Sequence, residues 1–251
     1  MSSTIWTQCG GTSRLLEYAK PVWRVVEAQH QNSTRKLVDT DEEQAVLEDL
    51  IEETKPSLPS EIDPSLNYLL FTPFRYPPLR HGSRYRRATD PGVWYGAEKV
   101  KTSFAEVAYY RFVFVSGSDA DLEPIEMELS AFATAVKCEH AIDVSLPPFN
   151  RHEALFSKTS YEATQALGAA MRADGVHVVR YPSARDAGGG ACVGVFDPVA
   201  FGKLELPPTT YKCSTTNSLV VISGGFGQAN VALAFERAQF EVDGALPSPA
   251  T

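Results

Sequence analysis

Much of what this chain lacks excludes whole classes of function. None of its four cysteines (Cys9, Cys138, Cys192, Cys213) forms a CxxC pair, and Cys138 beside His140 has no second pair to complete a zinc set. The thiols read as isolated groups, and no metal is expected. No apolar run reaches the ~18 residues of a membrane span. The start MSSTIWTQCGG has no basic stretch leading into an apolar one, so no secretory leader is expected and the chain reads as cytoplasmic. Positive charge is also scarce: 23 Lys and Arg against 31 Asp and Glu give a net charge of -8. That balance argues against broad, salt-driven binding to nucleic acid. Internal repeats and long low-complexity tracts are missing as well.

What is present is enough for a real core: 251 residues, 43% of them hydrophobic. Residues 1–66 read as an N-terminal extension and 67–251 as the main domain. Within the extension, Val25, Val26 and Leu37 are isolated apolar anchors. A helix follows, opened by a Thr40/Glu43 capping box, with Val46, Leu47, Leu50 and Ile51 on one face. Lys55-Pro56 ends it, and KPSLPSEIDP is a polar linker. From Asn67, NYLLFTPFRY reads as a strand entering a loop and GVWYGA as a short strand. Thr102 or Ser103 then opens a helix through Phe104, Val107, Ala108 and Tyr110. Residues 125–129, 131–136 and 142–146 read as separate strands, followed by a helix with a Thr159/Glu162 capping box and Gly175 at its C-terminal end. VHVVRYPS and ACVGVF are further strands. Many short strands with few helices give an α+β fold rather than a regular βαβ succession.

The chemistry concentrates between Phe74 and Arg111. Five arginines (Arg75, Arg80, Arg84, Arg86, Arg87) fall within thirteen positions of this acidic chain. Trp94, Tyr95 and then Glu106 follow. Guanidinium forks hold pyrophosphate bidentately, an aromatic face attracts a cationic ring, and a carboxylate stabilises an oxocarbenium-like sugar. A ligand anionic at one end with a cationic ring at the other suits this set; NAD is such a ligand. Arg84, Tyr95 and Glu106 stand eleven positions apart at each step. Spacing alone leaves plainer readings open. Glu106, three after Ser103, also fits a capping box; Tyr95 also fits a core strand; Arg84 also fits a loop. Downstream, YPSARDAGGGACVGVF sets Ser183 in a turn that suits a ribose or phosphate, or one in which the hydroxyl caps its own backbone. LVVISGGFGQAN imitates a dinucleotide-binding turn, but Asn230 replaces the third glycine and only 21 residues follow it, too few for the rest of such a sheet.

The ordered set GSRY, WYGA, FAEVAYY and YPSAR-GGG-VF, from about Leu69 to Pro198, resembles the RES domain. PVWRVVEAQH, STRKLVD and EEQAVLEDLIEETKP resemble the N-terminal region of longer, ParT-like members. The resemblance implies an ADP-ribosyltransferase-like mixed β core with surrounding helices and an N-terminal helical extension. It implies the toxin of a bacterial type II toxin–antitoxin pair that consumes NAD as substrate. The favoured activity is mono-ADP-ribosylation of a protein such as phosphoribosyl pyrophosphate synthetase. The alternatives are an NAD glycohydrolase or phosphorylase and a non-catalytic interaction domain. The implied partner is an Xre/MbcA/ParS-type antitoxin in a hetero-oligomer, with neither membrane nor direct nucleic-acid contact. Carried over by position, the family arginine falls on Arg84, with Arg75 as second candidate, the tyrosine on Tyr95, the glutamate on Glu106 and the serine on Ser183. Many members have an asparagine after the glycine run, where this chain has Ala191 and Cys192. Beyond about Lys212 no familiar motif appears.

Overall fold

The computed structural model describes residues 4–28, 37–60, 62–76, 80–117, 124–224 and 231–248. Five helices matter here: α1 (Ile5–Gln8), α2 (Asp41–Thr54), α3 (Tyr68–Arg75), α4 (Val100–Val115) and α5 (Glu162–Ala173). They surround strands β1 (Leu16–Glu27), β2 (Trp94–Ala97), β3 (Ile125–Asp143), β4 (Val178–Pro182), β5 (Ala191–Val195), β6 (Phe201–Thr215), β7 (Leu219–Gly224) and β8 (Val231–Glu236). All eight strands join one mixed sheet, ordered β1-β2-β5-β4-β3-β6-β7-β8, and β1 also pairs with β3. The fold is α+β. None of the helices described is long and apolar enough to cross a membrane.

The additional pairing closes β1, β2, β5, β4 and β3 into a ring. β3 makes this possible by its length of 19 residues. Over 125–136 it pairs with β6, and at its far end, Ala141 to Asp143, it exchanges β6 for a parallel partner, β4. The other edge of β3 carries β1, antiparallel from Leu16↔Ala141 to Glu27↔Leu129. The three strands expected at 125–146 are thus mostly one continuous strand, bent by register shifts against β6 between Ala131 and Val136. Residues 16–27, read as part of an extension, form a strand of this ring. β7 and β8 form an antiparallel pair, not the strand–helix of a nucleotide-binding turn; residues 225–230, the rest of that lookalike, lie outside those described.

Local rules explain the helices. Thr40 and Glu43 form the expected capping box at α2, with Glu43 N donating to Thr40 Oγ1 at 3.1 Å. The segment 68–75 is a helix, not a strand. Asn67 caps it by accepting from Leu69 N at 2.9 Å. Pro73 lies inside and removes the hydrogen bond that the Leu69 carbonyl would receive. The Trp94 indole donates to that same carbonyl at 3.2 Å, so the proline leaves no orphan. α5 lacks the expected Thr159/Glu162 box: its N-cap is Tyr161, with no side-chain cap bond. Its other end is as read. Gly175 has φ +73, its N–H donates to the Arg172 carbonyl, and the Val176 N–H donates to that of Met171, which is a Schellman closure.

One helical glycine positions the site. A Cβ on Gly168 of α5 would lie 2.4 Å from the Tyr85 carbonyl, so α5 packs directly on the backbone that follows Arg84. Gly168→Ala is expected to destabilise the fold by about 1–3 kcal/mol through overpacking, read as a lowered melting temperature.

Candidate active site

α4 runs along one side of the strand ring. Phe104, Ala108 and Phe112 are buried in the core against Leu129, Ala131, Val220 and Ile222. The helix begins at Val100 after Lys99, with no side-chain cap. Ser103 is not a cap; its hydroxyl donates to the Trp23 carbonyl of β1 at 3.0 Å. Glu106 is thereby released from the capping role and lines a cleft of about 220 Å³. Arg84, Tyr95, Tyr110, Tyr161 and Cys192 line the same cleft, as does Arg24 of β1.

Three residues eleven positions apart therefore share one cavity, although a loop, a strand and a helix carry them. Tyr95 does more than present a ring. Its hydroxyl lies 2.8 Å from Ser83 Oγ and accepts from the Tyr85 N–H at 2.9 Å, clamping the turn on both sides of Arg84. The Arg84 guanidinium donates from both Nη atoms to the Ser157 carbonyl, each at 3.1 Å, and lies 4.6 Å from the Tyr161 ring centroid. The fork is already posed in bidentate geometry toward one oxygen.

Ser183 supports Glu106 directly. Its hydroxyl donates to Glu106 Oε1 at 2.6 Å and accepts from the N–H groups of Arg185 and Asp186 at 3.1 and 2.9 Å. The serine thus caps its own turn, and its hydroxyl is spent on the Glu106 carboxylate; Ser183 is not itself among the residues lining the cleft. The glycine run explains how the turn reaches the helix. Thr102 donates to Asp186 Oδ2 at 2.7 Å, and a Cβ on Gly190 would lie 2.0 Å from Thr102 Oγ1. Only glycine lets this turn seat on the first turn of α4.

The other arginines are placed elsewhere. Arg75 forms an ion pair with Glu52 at 2.9 Å and donates to the Pro56 carbonyl at 2.6 Å; it does not line the cleft. Arg87 pairs with Asp90 at 2.8 Å, and Arg86 donates to the Asp90 carbonyl. Arg75→Ala is expected to change any NAD turnover by less than about twofold, since this surface pair with Glu52 lies away from the cavity and contributes only ~0–1 kcal/mol.

The sequence reading missed Arg24. Its guanidinium lies 5.2 Å from the Trp94 ring centroid and reaches the Tyr95 carbonyl only at 3.5 Å. Burial alone pushes its pKa down to about 10. Among the described residues no carboxylate pairs with it. A half-buried cation that lines the cleft and has no carboxylate partner makes a candidate anion site. The available signal was a single arginine in the apolar alternation VWRVV. Tyr161, which faces Arg84, was also missed; it reads as a mere helix-start residue. No group of His, Cys, Asp and Glu among the described residues is arranged to hold a metal ion.

A family model described as the RES domain matches residues 58–214, more than half of the chain. None of the curated proteins matches the sequence. Among solved structures, a chain of the crystal structure of the M. tuberculosis MbcT-MbcA toxin-antitoxin complex is similar over 81% of this chain and 87% of its own, at 13% identity and a TM-score of 0.46.

Proposed function

This chain belongs to the RES domain family, and from that premise we propose that it is an NAD-consuming toxin of a bacterial toxin–antitoxin pair, acting as an ADP-ribosyltransferase. The observation that carries the reading is the convergence of Arg84, Tyr95 and Glu106 on one cleft, with the Ser183 hydroxyl on the carboxylate. A cleft of about 220 Å³ is smaller than the ~300–1,000 Å³ of pockets that enclose a whole drug-sized ligand. It therefore takes the reacting end of the dinucleotide and leaves the rest to the open side.

In this reading Arg84 and the uncompensated Arg24 hold the pyrophosphate. The Tyr95 ring packs on the nicotinamide while its hydroxyl keeps the Arg84 turn in place. The bond between nicotinamide nitrogen and ribose C1′ breaks, and its electron pair neutralises the ring cation. Positive charge then develops on the sugar, where the Glu106 carboxylate stabilises it. The acceptor attacks C1′ and gives up its proton. No metal is required, because the leaving group is activated by its own charge.

Protein, water and phosphate are the three acceptors. Transfer to a protein such as phosphoribosyl pyrophosphate synthetase is the favoured reading, with an Xre/MbcA/ParS-type antitoxin as the partner that restrains it. Incubation with labelled NAD and cell lysate tests the choice. One labelled protein band is expected; free ADP-ribose or its phosphate would mean degradation instead, and no nicotinamide release at all would refute the enzymatic reading.

A further inference from the structure

The second residue after the glycine run is a cysteine that faces the cleft. Cys192 sits on β5, opposite Ala97 of β2 and Tyr181 of β4, and this register turns it to the cleft wall. Its Sγ lies 3.4 Å from Glu106 Oε1, the same oxygen that receives the Ser183 hydroxyl at 2.6 Å. Burial first, and then the Glu106 charge, push the thiol pKa well above its ordinary value, so the sulfur keeps its proton and donates. With only 2% of its surface exposed, it is a wall group and no nucleophile.

We infer that Cys192 is a positioning residue of the reaction: with Ser183 it fixes Oε1 of Glu106 and thereby sets the plane of the carboxylate in the cleft. The inference rests on the reading of Glu106 as the carboxylate that meets the substrate. Two donors on one oxygen stop rotation of the terminal torsion, which is otherwise broad. The second oxygen, which accepts no hydrogen bond from the described residues, is left for the sugar cation.

Three variants separate positioning from packing. Cys192→Ser keeps a donor, Cys192→Ala removes it, and Cys192→Val removes it while filling the space. Losing one long, weak thiol hydrogen bond to the carboxylate corresponds to about a fivefold fall in kcat. We expect that fall for the alanine and valine proteins, with KM for NAD unchanged, and less than about twofold for the serine protein. The infrared S–H stretch of Cys192, assigned by its loss in Cys192→Ser, reads the contact without substrate. It should lie below that of a free thiol and rise in Glu106→Ala. The inference is overturned by an S–H band that ignores Glu106→Ala, by a valine protein with wild-type kcat, or by a serine protein as slow as the valine one. A wild-type protein that releases no nicotinamide would instead remove the catalytic reading of Glu106, while the infrared band still decides whether the thiol holds it.

Discussion

Glu106→Gln should fold as the wild type does and lose about 10³-fold in NAD turnover. Glutamine keeps the volume and retains an acceptor for Ser183 and Cys192, so the 2.6 Å contact from Ser183 survives in outline. What disappears is the negative charge facing a sugar that becomes cationic only as the bond breaks. Fixed electrostatic groups of this kind typically contribute ~3–4 kcal/mol to the barrier, or 10²–10³ in rate. The effect belongs in kcat, with KM for NAD nearly constant, because the ground-state sugar is neutral. Nicotinamide release measured beside a thermal melt checks both halves. A glutamine protein at wild-type rate would remove Glu106 from the chemistry.

Arg24→Met should move stability and binding in opposite directions. The guanidinium is half-buried and has no ion pair among the described residues, so its charge contributes little to folding. Methionine retains much of the apolar stem that packs near Trp94 and is expected to stabilise the substrate-free protein, or at least leave it unharmed. Affinity for NAD should fall by about 10–100-fold, the loss of a charge-assisted bond worth ~1.5–3 kcal/mol. Melting temperature and calorimetric titration with NAD give the two readings. Equal NAD affinity in the variant and the wild type would mean that Arg24 only packs on Trp94.

How much of this was legible in the sequence depended on the range of each interaction. The cap at Thr40 and Glu43 needs only neighbours, and it is present. Gly175 likewise announced the end of α5. The helix 68–75 was misread because its internal proline is tolerated only through Trp94, 25 positions away from the carbonyl it rescues. β1 was read as part of an extension because Val25 and Val26 stand as isolated apolar anchors, and Pro21 within it also opposes a central strand. Yet β1 pairs with β2 at Trp23 alone, so most of that edge is open and a missing N–H there costs little. In the site, Arg84, Tyr95, Glu106 and Ser183 were nameable because four motifs occur in order. Arg24 carries no motif, and pairings of β1 with distant strands, β3 above all, bring it to the cleft.

That pairing also sets a schedule for synthesis. Residues 16–27 leave the ribosome early but bond to 129–141, and the cleft wall is complete only with β5 at Ala191–Val195. Contacts so distant in sequence form late. A nascent chain shorter than about this length has Arg84, Tyr95 and Glu106 but no enclosing wall and no Ser183 turn. The cleft is therefore assembled only once most of the chain has been made.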